Sequence, residues 1–259
     1  MRVTVLGCGT STGVPRLGGK DGHGDWGNCD PLEPRNRRRR VALLVECGAT
    51  RLLIDTGPDL RAQLLDAGVT RLDAVLLTHD HADHVHGLDD LRQLFFNTGR
   101  PVDCYTDQAT WSVLGKRFEY VFKGSGGYPA TCTAHTLPSV LKVGVLTIRH
   151  FRQRHGTIDT LGFRIDGQGA SIAYSTDVNQ LPDTAFDLLG DLDLWVVDAL
   201  RRKPHPTHSH LAQTLGWITR AEPRRAVLTH MDGTMDYRQL CAELPAGVEP
   251  GYDGLTIEI

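Results

Sequence analysis

The sequence lacks three features that would by themselves assign the protein to a class: a cysteine framework, a long apolar run and an excess of charge of one sign. Its six cysteines are dispersed among 259 residues and include no Cys-x-x-Cys pair, so disulfide bridges are not expected. No apolar stretch approaches membrane-spanning length, and the first residues contain no signal-peptide core. The net charge of −3 excludes a global basic field that would bind nucleic acid in bulk. We therefore expect a cytoplasmic protein without a membrane partner.

Length and composition indicate a globular chain with a sizeable core. Hydrophobic residues make up 40% of the sequence and charged residues 23%, and no segment has the composition of a linker. Residues 1–259 are therefore predicted to form a single domain.

The most informative stretch is a cluster of metal-ligand side chains that directly follows the apolar run 74–77. It contains three imidazoles and a carboxylate within six residues and reads Thr78-His79-Asp80-His81-Ala82-Asp83-His84. Imidazole and carboxylate are the ligands that zinc or manganese accept, and a strand that ends in a tight turn can arrange them around a small volume. Because His79 and His81 alternate before the turn while Asp83 and His84 follow it, the spacing predicts two adjacent metals. The alternative is that these histidines cap a turn or lie on the surface by chance.

The apolar periodicity predicts alternating strands and helices around this cluster. Strands are predicted at residues 3–6, 41–46, 51–54, 74–77, 145–151, 160–165, 171–175, 194–198 and 226–228. Helices are predicted at residues 60–67, 88–96 and 211–221. Several predicted strands end in candidate ligands, and residues 194–228 have the order strand, helix, strand.

The His-x-His-x-Asp-His pattern resembles the metal-binding signature of the metallo-β-lactamase-fold hydrolases. The resemblance implies an α/β fold, an αββα sandwich of two mixed β-sheets flanked by helices. It also implies three further ligands in a fixed order at later strand ends, which match His155, Asp177 and His230. Taken singly these are weaker assignments: His150 competes with His155, Asp177 suits an ordinary turn, and lone histidines such as His230 are usually structural.

The resemblance implies a specific division of these ligands between two divalent ions, Mn²⁺ or Zn²⁺. The first ion is assigned to His79, His81 and His155. The second is assigned to Asp83, His84 and His230, and Asp177 bridges the pair. Asp55, at an earlier strand end, is a candidate hydrogen-bond partner of a ligating histidine or a simple turn residue.

The segment 203–211 resembles the phosphodiesterase branch of this superfamily, which includes PhnP-type cyclic phosphodiesterases and, more distantly, tRNA 3′-processing ribonucleases. In that branch a histidine before the following helix faces the phosphate. We assign this role to His208, with His210 as the alternative, because an imidazolium can protonate or stabilise the departing oxygen. Asp83 is the third candidate catalytic residue, since it can accept a hydrogen bond from the nucleophile while holding its metal. The competing interpretation is that the histidines of this segment cap a helix or face solvent.

The chain departs from PhnP-type enzymes in the loop after its first strand. Those enzymes carry three cysteines there and a histidine three residues beyond the last metal ligand, whereas this chain has only Cys29 in the loop and Gly233 at the later position. We therefore predict that the corresponding structural zinc site is absent and that Trp26 packing and polar contacts hold the loop. The opening residues 6–15 and the closing residues 249–259 also resemble the branch.

The sequence contains one run of positively charged residues whose role it does not decide. Arg35, Arg37, Arg38, Arg39 and Arg40 precede a predicted strand. Such runs are usually solvated, but one or two of these arginines could instead contact a second phosphate or a nucleotide.

The function predicted from these features is phosphodiester hydrolysis by attack of a metal-bound hydroxide. The expected substrate is a small cyclic phosphate or a nucleotide-type phosphodiester, with nucleic acid no larger than a short oligonucleotide. The alternatives are a thioester or other hydrolase of the same fold, a tRNA 3′-processing ribonuclease, and a non-catalytic metal-binding sensor. The sequence leaves open the choice between zinc and manganese, and a homodimer is possible.

Overall fold

The computed structural model describes all 259 residues and contains fourteen strands and seven α-helices. The strands are β1 (Arg2–Gly7), β2 (Ala42–Cys47), β3 (Thr50–Ile54), β4 (Ala74–Leu76), β5 (Val102–Thr106), β6 (Cys132–Thr136), β7 (Val140–Val143), β8 (Leu146–His155), β9 (Ile158–Gly167), β10 (Ala170–Ser175), β11 (Leu194–Asp198), β12 (Ala226–Thr229), β13 (Val248–Pro250) and β14 (Leu255–Glu258). The helices are α1 (Leu60–Asp66), α2 (Ala82–Val85), α3 (Arg92–Thr98), α4 (Gln108–Arg117), α5 (Glu119–Lys123), α6 (Leu211–Ala221) and α7 (Tyr237–Glu243). None of the helices combines the length and apolar character needed to span a bilayer.

The strands form two seven-stranded sheets of matching design. Their spatial orders are β14-β1-β2-β3-β4-β5-β6 and β13-β12-β11-β10-β9-β8-β7. In each sheet one half is antiparallel and the other is parallel, with the change at β3 in the first sheet and at β10 in the second. The predicted α/β sandwich of two mixed sheets flanked by helices is therefore confirmed.

Successive side chains of the central strands belong alternately to two hydrophobic cores, one on each face of the first sheet. In β3, Leu52 and Ile54 are buried in the core between the sheets, whereas Leu53 belongs to the core between the first sheet and its helices. In β4, Ala74 and Val75 divide in the same way. Because successive side chains of a strand point to opposite faces, strands covered on both faces are apolar at every position. This explains the continuous apolar runs in the sequence.

Most of the predicted elements are present, with two informative differences. The helix predicted for residues 88–96 is divided into a 3-10 turn, Leu88–Leu91, and α3. Leu88 and Leu91 are both fully buried, and a spacing of three residues matches the period of a 3-10 helix. The strand predicted for residues 145–151 extends to His155 because β8 pairs with β9 along its whole length.

The long loop between β1 and β2 is fastened to the segment that follows β12. Arg38 is almost completely buried, and its guanidinium donates to the carbonyl oxygens of Asp232 at 3.3 Å and Met235 at 2.6 Å. The backbone N–H of Asn28 donates to the carbonyl of Gly233 at 2.6 Å. The loop is thus tied to the later segment by hydrogen bonds across nearly two hundred residues of sequence.

Arg38 should contribute more to stability than its exposed neighbour Arg37, which stacks 5.0 Å from the ring of Trp26. Arg38→Ala would leave two carbonyl groups without a donor and open a void, so we expect a loss of about 3 kcal/mol in the free energy of unfolding. Arg37→Ala is the matched control and should cost about 1 kcal/mol or less. Urea denaturation measures both, and equal losses would show that Arg38 does not fasten the loop.

Asp253, in the turn before β14, joins the loop to the C-terminal segment of the chain. Its carboxylate accepts from the backbone N–H of Cys8 at 3.1 Å and from that of Arg39 at 2.7 Å. Burial raises the pKa of this carboxyl from its usual 3.8 to about 6, although both hydrogen bonds act in the opposite direction. The folded state therefore holds the Asp253 proton more tightly than the unfolded chain does.

This raised pKa predicts a pH-dependent contribution to stability. The stabilisation from Asp253 is fully present below the unfolded pKa of 3.8 and is lost as pH rises through about 6. Relative to Asp253→Asn, which cannot titrate here, the wild type should lose on the order of 2 kcal/mol of unfolding free energy between about pH 4 and pH 7. Urea denaturation of both proteins across this range gives the difference. A difference that does not change with pH would contradict the raised pKa.

Candidate metal centre

The predicted ligand cluster lies at the carboxyl end of β4, between the two sheets. His79 and His81 are in the connection that leaves the strand, and Asp83 and His84 are in the short helix α2 that follows. His79, Asp83 and His84 are buried, whereas His81 is exposed. The sharp change from strand to helix brings four side chains from a stretch of six residues to one small volume.

The candidate ligands fall into two groups that share one aspartate. The groups are His79, His81, His155 and Asp177, and Asp83, His84, His230 and Asp177, with ligand atoms within 4.8 Å of one another in each. Oδ1 of Asp177 lies 3.0 Å from Nε2 of His84 and 3.3 Å from Nε2 of His230. Oδ2 of Asp177 lies 3.6 Å from Nε2 of His155 and 3.8 Å from Nε2 of His79. The two groups contain the same residues that were assigned to the two ions from the sequence, and Asp177 is the residue that both groups share.

Asp55 orients the second group. Its carboxylate lies 2.7 Å from Nδ1 of His84 and accepts from both the N–H and the hydroxyl of Thr78 at 2.9 Å and about 3.0 Å. With Nδ1–H of His84 donated to Asp55, the lone pair of Nε2 points toward Asp177 and Asp83. Asp55 is therefore a hydrogen-bond partner of a ligand-type histidine, as one of the two sequence-based interpretations proposed.

Two other histidines are oriented in the same manner. Nδ1 of His155 donates to the carbonyl oxygen of Thr207 at 2.7 Å, which leaves its Nε2 facing the site. Nδ1 of His208 donates to Oδ2 of Asp198 at 3.0 Å, and Asp198 is completely buried at the end of β11. Nε2 of His208 then lies 3.8 Å from Oδ2 of Asp177, beside the ligand groups.

Three residues of the site have left-handed backbone conformations. The φ angles are 64° at Asp55, 52° at Asp177 and 57° at His230. Asp and His tolerate this region better than most residues, but it still costs free energy. Asp55 and His230 directly follow a strand and Asp177 lies two residues beyond one, so the conformation turns each side chain toward the ligand groups at the strand ends.

Two of the histidines are suited to bind a cation as neutral imidazoles. Burial lowers the pKa of His79 well below its usual value, against the opposing effect of Asp177. Burial also lowers the pKa of His155. A neutral imidazole keeps the lone pair that a metal needs.

In the second group, the effect of neighbouring carboxylates on the pKa of the histidines exceeds the effect of burial. Burial lowers the pKa of His230, but Asp177 and Asp83 outweigh burial and raise it to about 9. His84 behaves in the same way, and its pKa is raised well above the usual value. The surrounding imidazoles in turn hold the pKa of Asp177 and of Asp83 well below the usual range, although burial alone would raise both. The carboxylates therefore attract positive charge to this position, as protons or as a metal ion.

The donor set fits divalent metal ions. Nε2 of His79, His84 and His230 are all buried and form no well-aligned hydrogen bond, although oxygens of Asp177 lie 3.0 to 3.8 Å away. Buried polar atoms are almost always paired, so three unpaired nitrogens converging on one carboxylate fit a position that binds a cation. Imidazole and carboxylate ligands suit zinc or manganese.

A polar cavity of about 630 Å³ opens onto both groups. Its lining comprises Ser11, His81, Asp83, His155, Gly156, Thr157, Ile158, Asp177, Pro206, Thr207, His208 and His230. Ile158 is its one hydrophobic residue, so the cavity suits a hydrophilic ligand.

The remaining candidates lie outside this cavity. His210 occupies the N-cap position of α6 without a capping hydrogen bond from its side chain and is not part of the lining, so of the two histidines only His208 faces the cavity. His150 lies within β8, away from both ligand groups. Sequence reasoning missed Asp198, although its position after an apolar strand is the same signal that singled out Asp177.

None of the arginines at positions 35–40 lines the cavity. Arg39 and Arg40 form ion pairs with Asp66 and Asp59, at 2.6 Å and 3.1 Å. The guanidinium of Arg35 lies over the rings of two tyrosines, at 5.0 and 5.1 Å. The run therefore combines structural contacts with exposed stacking, and it is not uniformly solvated.

Comparison with known proteins places the site in context. The family model of the beta-lactamase superfamily domain matches residues 50–231. The crystal structure of a new diphosphatase from the PhnP family superposes with a TM-score of 0.89 at 34% identity, covering 99% of this chain and 97% of that one.

Two curated proteins are similar over part of their length. An octanoyltransferase of Porphyromonas gingivalis is 35% identical over 261 residues, which cover 98% of this chain and 51% of the relative. A ribonuclease Z of Bradyrhizobium is 34% identical over 139 residues, which cover 50% of this chain and 45% of the relative. The chain thus spans about half the length of the curated relatives it matches.

Asp55→Asn should weaken metal binding without removing a ligand. The amide cannot accept from His84 and Thr78 together as the carboxylate does, so we expect the affinity for Zn²⁺ to fall by about 10- to 100-fold. Competition with a chromogenic chelator measures this affinity. The matched control is Asp103→Asn, which breaks an exposed Asp–His pair of 2.8 Å with His135. Equal affinities in both variants would show that Asp55 does not support the site.

Proposed function

The chain belongs to the beta-lactamase superfamily, and from this premise we propose that it is a metal-dependent phosphodiester hydrolase. We propose as substrate a small cyclic phosphate or a nucleotide-type phosphodiester. The observation that carries the proposal is the buried pair of Asp198 and His208 beside two ligand groups that share Asp177. This pair adds a proton donor to a site that otherwise contains only ligands, and breaking a phosphodiester requires such a donor for the departing oxygen.

The ligand groups account for binding and activation of the phosphate. When bound, two divalent ions would supply Lewis-acid chemistry, by polarising the phosphoryl oxygens and lowering the pKa of water. We assign one ion to His79, His81 and His155, the other to Asp83, His84 and His230, and the bridging position to Asp177. Both Zn²⁺ and Mn²⁺ suit this set of ligands.

The protein side chains divide the proton transfers between them. As the oxygen of water forms its bond to phosphorus, Asp83 accepts a hydrogen bond from that water and so orients it. The proton that the water loses is released to solvent, and His208 is reprotonated from solvent after each turnover. The bond from phosphorus to the ester oxygen breaks, and Nε2 of His208 gives its proton to this oxygen. Asp198 holds Nδ1–H of His208 and stabilises the imidazolium before the transfer. The products are a phosphate monoester and an alcohol.

The composition of the cavity supports a phosphate ester over a lactam or a thioester. Hydrolysis of those acyl compounds has less need of an imidazole at the leaving group, whereas His208 is both buried and oriented here. The similarity to a diphosphatase of the PhnP family over nearly the whole chain supports the same class of chemistry. It adds diphosphate compounds to the candidate substrates. In their hydrolysis water attacks one phosphorus, the P–O–P bond breaks, and the departing oxygen belongs to the second phosphate.

The assay distinguishes this function from three alternative functions. A tRNA 3′-processing ribonuclease shares the core, and ribonuclease Z relatives match half of this chain. A thioester hydrolase or a metal-binding sensor would keep the ligands. We propose that the substrate is a small molecule or, at most, a short oligonucleotide. A homodimer is compatible with this function.

The first test is hydrolysis of bis(p-nitrophenyl) phosphate by manganese-loaded and zinc-loaded protein. We expect turnover of this diester and little turnover of p-nitrophenyl phosphate, because the monoester carries additional charge and lacks a second ester group. Release of p-nitrophenol measures both. A metal-loaded protein that does not hydrolyse the diester would favour the thioester or sensor functions.

His208→Ala should separate catalysis from metal binding. We expect kcat to fall by about 10²- to 10⁴-fold for a diester with an alkyl leaving group, because its leaving oxygen loses its proton donor, and to fall less for p-nitrophenyl esters, whose phenolate departs without a proton. Metal content by elemental analysis should stay at the wild-type value. His210→Ala is the control, since that side chain lies outside the cavity. A loss of metal in His208→Ala would show that His208 is a ligand, and a larger effect of His210→Ala would reverse the assignment.

A further inference from the structure

The cavity at the metal centre offers no fixed positive side chain to a second phosphate. Neither lysine nor arginine is present among its twelve lining residues. A substrate with one phosphate needs none, because the ions themselves balance its charge. A second phosphate would require a cation elsewhere, within reach of the same ligands.

A second cavity adjoins the first and contains such a cation. It has a volume of about 610 Å³ and is lined by Asp80, His81, Ala82, His86, Arg117 and Phe118. His81 lines both cavities and is exposed, so a ligand bound at this histidine can extend from one cavity into the other. His86 is also exposed, and its ring lies 5.8 Å from that of Phe118.

Arg117, the last residue of α4, is held in a defined orientation there. Nη1 donates to the carbonyl oxygen of Asp80 at 2.5 Å, and Nη2 donates to Oδ2 of Asp80 at 3.3 Å. The carbonyl belongs to the peptide group that joins Asp80 to His81, so the guanidinium lies next to a ligand residue. Guanidinium carries more N–H groups than these two bonds use, and the side chain remains 36% exposed.

We propose that Arg117 and His86 form a binding site for a second anionic group of the substrate. In this arrangement the scissile phosphate lies at the ligand groups, and a neighbouring phosphate extends past His81 to the guanidinium of Arg117. Planar, pre-oriented guanidinium is well suited to bind phosphate oxygens, and the imidazole N–H of His86 adds a donor. The substrate class is thereby narrowed to phosphate esters that carry two linked phosphates, such as nucleotide diphosphates. This inference rests on the proposed function.

The ion pair with Asp80 gives the proposal a distinctive signature. The carboxylate of Asp80 orients Arg117 but also opposes the binding of an anion. Asp80→Asn keeps the carbonyl acceptor and removes this negative charge, so it should strengthen binding of a second phosphate. If Arg117 served only to brace the turn that bears His81, substitutions of Arg117 and of Asp80 would both impair the site.

The experiment compares two substrates in four proteins loaded with manganese. Bis(p-nitrophenyl) phosphate has one phosphate, and ADP-ribose has two. The proteins are the wild type, Arg117→Gln, Asp80→Asn and Arg92→Gln. Arg92 is the matched control, because it is also paired with an aspartate, Asp89 at 3.4 Å, but does not line either cavity. The measured quantity is the ratio of kcat/KM for ADP-ribose to kcat/KM for the single-phosphate ester, with the metal content determined for every protein.

We expect Arg117→Gln to lower this ratio by about tenfold and Asp80→Asn to raise it by about threefold. Arg92→Gln should leave the ratio unchanged. Arg117→Gln and Asp80→Asn could instead lower kcat/KM for both substrates in parallel and lose metal. That result would overturn the proposal and show that Arg117 stabilises the turn. Turnover of the single-phosphate ester by a wild type that does not hydrolyse ADP-ribose would also overturn it, while leaving the proposed function intact.

Failure of the proposed function gives a different result. If the metal-loaded wild type hydrolyses neither substrate, calorimetric titration with ADP-ribose still tests the site. Weaker binding to Arg117→Gln and tighter binding to Asp80→Asn would support it, whereas equal affinities in the four proteins would contradict it.

Discussion

The burial of the Asp177 carboxylate among imidazoles is the constraint on which the rest of the structure depends. Five histidines place a ring nitrogen within 3.8 Å of its two oxygens, namely His79, His84, His155, His208 and His230. A charged group removed from water is costly unless it is paired and hydrogen-bonded. These imidazoles come from four separate segments of the chain, one after β4 and three from the second sheet and its connections, so the site forms only when both sheets are in place. The left-handed conformations at three strand ends add on the order of 1–3 kcal/mol each, which the apolar core between the sheets must offset.

Hydrogen bonds from the histidines to other residues determine how their rings are oriented around the buried carboxylate. His84, His155 and His208 each donate Nδ1–H to a fixed acceptor, namely Asp55, the carbonyl of Thr207 and Asp198. His230 has no such partner at Nδ1. Its backbone is held instead, because the next residue, Met231, donates its N–H to the carbonyl of Cys8 at 2.9 Å. The first loop of the chain therefore takes part in positioning the last candidate ligand, although it contributes none itself.

The sequence predicted those features that are local or repeated, and it could not predict those set by distant packing. The ligands from His79 to His84 lie within six residues, so their spacing alone indicated a metal site. The more distant ligands were identified only through a family resemblance, since lone histidines and turn aspartates are common. Arg38 shows the limit most clearly. Within an arginine run it looks solvated, yet it is buried because its acceptors at Asp232 and Met235 lie almost two hundred residues away.

The turn that bears the ligands also forms the wall between the two cavities, and this links metal binding to recognition. Asp80 stands between His79 and His81, and its backbone carbonyl and carboxylate both bind Arg117 of α4. The hydrogen bonds of Arg117 in the second cavity therefore restrain the turn that carries His81, and His81 also lines the first cavity. Because His81 is the exposed member of its group, it is the candidate ligand least fixed by packing and most dependent on this connection. The same arginine that can bind an anion thus also limits the movement of His81, so both properties must be measured together in any variant of this turn.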